Sequence, residues 1–215
     1  MRSGPTPGPL SSYLLFEGDG RAIVIRTHGR SFDINFIIVN ASKENAMQET
    51  TQQYTERILS YSADKDEVAV QQATPGKLAA LIEGKSQQSL TGRPAPDTWS
   101  VAEILAHLAD AEVATSWRLR QILSTNGVPI QAFDQNAWAA TFDYAQRDPH
   151  QSLETFRVLR HNNIALLKSV PRERWNNYGM HQERGKETVT QIVRLIAGHD
   201  LNHLKQIENI LAKNK

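Results

Sequence analysis

The sequence from residue 189 to residue 211, VTQIVRLIAGHDLNHLKQIENIL, decides the fold class of this 215-residue chain. Thr188 and Gln191 can form a capping box at its start, which predicts a helix beginning near Thr188. Its apolar residues recur every three to four positions, as in a helix that buries one face. They are Ile192, Leu195, Ile196, Ile207, Ile210 and Leu211.

Two preceding segments repeat this period and have clear start signals. Ser100 and Glu103 predict a capping box for a helix that ends at the turn-forming pair Asn126–Gly127. Asp148 and Pro149 supply an N-cap and a first-turn proline for the next helix. Helices with one apolar face bury it against one another, so these segments predict a helix bundle.

The first helical segment spans roughly residues 51–83, and we expect an interruption near residues 73–76 because of Pro75. A short helix is expected at residues 133–138. We find no convincing strands among the helices. The sequence therefore predicts an all-α, four-helix-bundle domain over residues 47–215.

Residues 1–46 have a different character and form an N-terminal extension in this interpretation. The opening is rich in Gly, Pro and Ser, which favours disorder. Three β-prone runs follow, and so few short strands are weakly stable alone. One hypothesis is that translation normally begins at Met47, which mass spectrometry of the native protein would test. The runs are residues 13–16, 22–25 and 32–39.

Composition excludes several classes of function. The net charge is +1, with 24 basic and 23 acidic residues, which gives no electrostatic reason to expect nucleic acid or a membrane as partner. The chain has no cysteine, which excludes disulfides, a thiolate nucleophile and thiolate metal ligands. Without a signal peptide or a bilayer-spanning run, we expect a cytoplasmic protein.

Three histidines lie on faces that are predicted to enter the core. His199 and His203 are four residues apart and stack on one side of the last helix, while His107 lies among the apolar residues of the second. Burying three imidazoles without a common partner is costly, so they could converge on one metal ion with an open coordination position. The alternative is that they are separate core or surface histidines. The metalloprotease pattern HExxH does not occur at these positions.

Two stretches resemble the DinB-like superfamily. Residues 93–112, RPAPDTWSVAEILAHLADAE, look like its second-helix signature, and residues 198–207, GHDLNHLKQI, look like its final-helix signature. Residues 133–138 and 181–185 are also similar. The resemblance covers about residues 51–211 and leaves the N-terminal extension outside.

The resemblance implies a four-helix bundle with a divalent metal, often zinc or nickel, held by His107, His199 and His203. It also implies frequent homodimers. Characterised relatives include S-transferases and isomerases that use low-molecular-weight thiols, whereas many members have no assigned reaction.

Three functions remain open on the sequence. The first is a thiol-dependent S-transferase or isomerase acting on a small molecule. The second is a hydrolase that uses metal-bound hydroxide, with Glu112 or Glu183 as the candidate catalytic base. The third is a non-enzymatic, metal-binding bundle. Asp110 and Asp200 lie beside the histidines in sequence and could orient a ligand, although each could equally be an exposed acid.

Overall fold

The structure is a computed structural model that describes residues 49–213 and three strands before them. The chain divides into two compact units, Met1–Gln48 and Glu49–Lys215. In the first unit, the described residues form an antiparallel sheet in the order β1-β2-β3. Its strands are β1 (Ser12–Phe16), β2 (Ala22–His28) and β3 (Ser31–Asp33).

The predicted β-prone runs 13–16 and 22–25 fall within β1 and β2, which confirms a weakly β extension there. Residues 34–39 of the third run lie outside the described residues. Whether this unit belongs to the native product stays a prediction.

Residues 49–213 form seven α-helices, and four of them build the bundle. In this bundle α6 packs against α4 and α2, and α7 packs against α2 and α4. Consecutive bundle helices α2 and α4 therefore lie diagonally, as do α6 and α7. The helices are α1 (Thr51–Ser60), α2 (Glu67–Ile82), α3 (Gln87–Thr91), α4 (Val101–Ser124), α5 (Gln135–Thr141), α6 (Pro149–Ser169) and α7 (Val189–Lys213).

The predicted helix starts are confirmed. Ser100 and Glu103 exchange both hydrogen bonds of a capping box at the start of α4. Asp148 accepts from the backbone N–H of Gln151, and Pro149 is the first residue of α6. The four-helix bundle is therefore built on caps that the sequence specifies locally.

The predicted interruption of the first segment is wrong in its position. The chain leaves the helix at residues 61–66, between α1 and α2, whereas Pro75 lies inside α2. Because proline has no N–H, it cannot bond to the carbonyl of Gln71 four residues earlier. The guanidinium of Arg160 on α6 donates to that carbonyl instead, at 3.1 Å, which allows α2 to continue.

The absence of strands among the helices is also wrong. Three short strands, β4 (Val128–Ile130), β5 (Tyr178–His181) and β6 (Gly185–Thr188), form a second sheet. β4 pairs with β5 in parallel, and β5 pairs with β6 in antiparallel fashion through a turn at residues 182–184. Strands of three or four residues are stabilised by pairing across the fold, so local pattern hardly reveals them.

Within residues 49–213 the core consists of two groups of buried apolar side chains. One lies among α2, α4, α6 and α7 around Phe156, and the other joins α4 and α7 to the second sheet around Trp175. No helix of the described residues is long and apolar enough to cross a bilayer.

Candidate metal centre

The bundle brings the three predicted histidines together. The Nε2 atoms of His107 and His199 are 3.0 Å apart, and those of His203 and His199 are 3.1 Å apart. One nitrogen from each ring lies within 4.8 Å of the others. His107 comes from α4 and the other two from α7, so the group exists only where these helices pack together.

Burial keeps these imidazoles neutral. His107 and His203 are buried, whereas His199 is partly exposed. Burial lowers the pKa of His107 to about 3, and the neighbouring His203 adds to this effect. Burial likewise lowers the pKa of His203 to about 4, and it holds the pKa of His199 well below its usual value. Neutral imidazoles are the form that binds metal ions.

Hydrogen bonding within the group is incomplete without a shared cation. Oε1 of Gln206 lies 2.9 Å from Nδ1 of His203, and an oxygen can only accept, so Nδ1 holds the proton and Nε2 a lone pair. The Nε2 atom of His199 has at most one proton but faces two other Nε2 atoms. A metal ion among three lone pairs would give each Nε2 atom a partner, which fits a His-triad ligand set.

The surroundings of His107 are largely apolar. The ring of Trp99 lies against it, with 5.1 Å between centroids. Its Nδ1 atom is buried and has no hydrogen-bond partner within residues 49–213. In the described part of the chain, His203 is the one histidine of the three whose Nδ1 atom is hydrogen-bonded to another side chain, that of Gln206.

A cavity of about 310 Å³ opens onto this group. His107 and His199 form part of its wall, so a small molecule in the cavity could contact both imidazoles. Glu183, the predicted candidate base in the β5–β6 turn, also lines the cavity and is exposed. The other lining residues are Glu49, Thr51, Tyr54, Thr55, Ala111, Thr115, Arg118, Phe133, Gln135, Arg184, Leu195 and Ile196.

Glu112, the other candidate base, lies elsewhere in the bundle. Its carboxylate is buried and accepts from Arg160 at 2.8 Å and from Asn163 at 2.6 Å. Burial raises its pKa, which Arg160 opposes. Glu112 lies five positions after His107, which places the two side chains on different faces of α4. The structure therefore does not support Glu112 as the catalytic base.

The two aspartates do not orient the histidines. Asp200 is buried and accepts from Arg160 at 3.0 Å. Asp110 accepts from the Tyr144 hydroxyl at 2.7 Å and from Arg147 at 3.0 Å. Both acids pair with residues other than the histidines, and the side chain that is hydrogen-bonded to one of the three histidines is that of Gln206.

Two arginines of the bundle were not predicted from the sequence as functional residues. Arg160 bonds to residues of α2, α4 and α7, and its position four residues from both Phe156 and Ile164 already placed it on an apolar helix face. Arg118 lines the cavity and lies eleven residues after His107, a spacing that returns to the same side of a helix after three turns.

The sequence profile and the related proteins that match this chain point to one family. The sequence profile of the DinB superfamily matches residues 72–207. YfiT of Bacillus subtilis is 24% identical over 145 residues, which cover 66% of this chain and 81% of that protein. A relative from Halalkalibacterium halodurans is 22% identical over 141 residues, which cover 66% of this chain and 82% of the relative. Both are named provisionally as metal-dependent hydrolases.

The fold agrees with this match. A solved structure of YfiT, described as having an unusual four-helix bundle topology, superposes with a TM-score of 0.64 at 20% identity. The similarity covers 78% of this chain and 90% of that structure. The profile match spans well over half of the chain and includes all three histidines, and the chain therefore belongs to the DinB superfamily.

Proposed function

We propose that this protein is an enzyme in which His107, His199 and His203 hold a divalent metal ion, zinc or nickel, for a reaction of a small molecule. The observation that carries the proposal is the convergence of three Nε2 atoms at the wall of an accessible cavity. Three protein ligands leave coordination positions open, as in catalytic rather than structural sites. Relatives named as metal-dependent support the presence of an ion.

The leading reaction is transfer of the sulfur of a low-molecular-weight thiol to an electrophile. A divalent ion lowers the pKa of a bound thiol, so that the nucleophilic thiolate forms at neutral pH. The chain contributes no thiol of its own, because it has no cysteine. In this reaction the thiol proton passes to solvent, a carbon–sulfur bond forms and the leaving group departs. The buried Glu112 is not needed, because thiolate formation requires no strong protein base.

Hydrolysis is the second candidate, and a specific observation favours it. Glu183 lines the same cavity as His107 and His199 and could accept a proton from an attacking water. The names of the relatives point in the same direction.

The first test is metal content by elemental analysis. We expect close to one ion per chain in the wild type and its loss in His107→Ala and His203→Ala. His150→Ala, which removes an exposed histidine of α6, serves as the matched control and should retain the ion. An absence of metal after incubation with zinc and with nickel would contradict the proposal.

The second test separates the reactions. The metal-loaded protein is assayed with small thiols plus a chromogenic alkylating electrophile, and separately with chromogenic esters and amides. Thiol-dependent turnover that disappears in His203→Ala supports transfer. Ester or amide cleavage that decreases in Glu183→Gln supports hydrolysis. Bound metal with no turnover in either series would favour a non-enzymatic bundle.

A further inference from the structure

One face of α4 leads from the metal centre to a positive charge. His107, Ala111, Thr115 and Arg118 all line the cavity and follow one another at helical spacing. The Cα atoms of His107 and Arg118 are about 16 Å apart along the helix axis, at 1.5 Å per residue.

Arg118 has no counter-ion in the described part of the chain. Within residues 49–213 no carboxylate lies within 4.0 Å of it, and its hydrogen bond is donated by Nη2 to the carbonyl of Gln131 at 2.9 Å. The guanidinium also lies over the ring of Phe133, 5.4 Å from the centroid. Its remaining N–H groups are therefore available to a ligand.

The other charged residues around the cavity form no ion pair with Arg118 in the described part of the chain. Arg184 forms a two-bond ion pair with Glu187, and Glu49 forms a two-bond ion pair with Arg57. The exposed Glu183 is near enough to influence Arg118 electrostatically but forms no ion pair with it. Burial, together with Arg184, lowers the pKa of Arg118, whereas Glu187 and Glu183 oppose this shift.

We propose that Arg118 binds a carboxylate or phosphate group of the substrate or cosubstrate, whose other end reaches the histidine group. The inference rests on the proposed function for the second contact. A guanidinium offers parallel N–H groups that match an oxyanion in two-bond geometry. Anchoring a ligand at both ends would orient its reacting atom, which a pocket with a single contact cannot do. The ligand class is thus an anionic small molecule, such as a thiol that carries a remote acid group.

The test uses the full-length protein loaded with cobalt, whose visible absorption reports a thiol bound to the metal. Mercaptoalkanoates and mercaptoalkyl phosphates are titrated beside mercaptoalcohols of equal chain length. We expect the wild type to prefer at least one acid by about 10-fold to 100-fold, as for hydrogen bonds to charged groups. Arg118→Gln should lose that preference and keep its affinity for the alcohols, while Arg118→Lys should keep part of it.

Arg157→Gln is the matched control, because it removes one exposed arginine of α6 away from the cavity. It should leave the preference unchanged. Equal affinity for acids and alcohols in the wild type, or an undiminished preference in Arg118→Gln, would overturn the inference. Comparison of the carboxylate and phosphate series identifies the oxyanion.

Calorimetry with alkanoates and alkyl phosphates that lack the thiol separates the two proposals. Binding that depends on Arg118, without any change in cobalt absorption by thiols, would overturn thiol binding at the metal and preserve the anion site. A cobalt response to thiols, without any dependence on Arg118 in either series, would overturn the anion site alone.

Discussion

Gln206 controls one metal-ligand candidate through a single hydrogen bond. Because its Oε1 accepts from Nδ1 of His203, the proton stays on Nδ1 and Nε2 faces His199 with a lone pair. Partners of this kind fix the tautomer and the orientation of a ligating imidazole. The effect of the glutamine should therefore appear in metal affinity more than in stability.

We predict that Gln206→Ala binds zinc about 10-fold to 100-fold more weakly than the wild type. Competition with a chromophoric chelator measures the affinity. Asn202→Ala is the control, since Asn202 is a neighbour on α7 that accepts from Arg57 and touches no histidine through its amide. Equal zinc affinity in Gln206→Ala and the wild type would show that the hydrogen bond does not orient His203.

The buried histidines also predict how stability depends on pH in the metal-free protein. The pKa values of His107 and His203 are about 3 and about 4, against an ordinary value of 6.5. Between pH 6.5 and pH 4 the unfolded chain therefore binds protons that the folded chain does not bind. Lowering the pH through this window favours unfolding, and raising it restores stability.

We expect the free energy of unfolding to fall by about 1–2 kcal/mol per buried histidine between pH 7 and pH 5. Urea denaturation at a series of pH values measures this slope. His107→Gln lacks one of these titrating groups and should show a shallower slope. Identical slopes in the two proteins would mean that His107 gains its proton as readily in the folded state as in the unfolded state.

At the scale of helices, Gly198 sets how closely α1 approaches α7. A Cβ atom at this position would lie 2.0 Å from the backbone oxygen of Ile58, and backbone cannot rotate away as a side chain can. α1 also carries Tyr54 and Thr55, which line the cavity. The glycine therefore links the packing of α1 to the shape of the candidate site.

We predict that Gly198→Ala lowers stability by about 1–3 kcal/mol, as overpacking does elsewhere. Hydrogen exchange should increase in α1 more than in α4 or α6. The matched control is Gly76→Ala in α2, where a Cβ would meet nothing within 4 Å. That variant should gain up to about 1 kcal/mol from helix propensity. Destabilisation of equal size in both variants would contradict close packing at Gly198.

Helices and strands could be predicted from sequence where the residues that stabilise them are close together in the chain. The starts of α4, α6 and α7 depend on partners three residues apart, such as Ser100 with Glu103, so a short window contains the information. The continuation of α2 through Pro75 depends on Arg160, which is 89 residues from Gln71, and no local window contains that pair. The second sheet was missed for the same reason, because β4 and β5 are far apart in sequence.

The features of the candidate site also differ in whether local sequence could predict them. The spacing of His199 and His203 within one helix was sufficient to predict that they share a face. The orientation of His107 toward the core was also predicted, from its position among the apolar residues of α4. The separation of Glu112 from the cavity and the exposure of Arg118 to it depend on how α4 rotates within the bundle. Apolar periodicity defines that rotation only to within a broad stripe, so these details needed the structure.

At the scale of the whole molecule, some interaction must favour the diagonal arrangement of consecutive helices over a bundle in which consecutive helices are neighbours. Arg160 is 2% exposed and contacts Gln71 of α2, Glu112 of α4 and Asp200 of α7, so that all four bundle helices meet at one guanidinium. A buried ionic group adds little net stability, but it can select one packing arrangement over others. We infer that this cluster specifies the topology that brings His107 to α7.

Two variants distinguish the effect of the cluster on stability from its effect on helix arrangement. Arg160→Leu leaves two buried carboxylates without a cation, so we predict a loss of about 3–5 kcal/mol in urea denaturation. Replacing Arg160, Glu112 and Asp200 together by leucine removes every buried charge of the cluster and should recover most of that loss. The remainder reflects the Gln71 carbonyl and the Asn163 amide, which would still lack their partners. Because His107 must reach α7 to complete the metal centre, zinc affinity reports whether the native arrangement persists. We expect the triple variant to bind zinc at least 10-fold more weakly although it is folded. Wild-type zinc affinity in that variant would show that apolar packing alone specifies the topology.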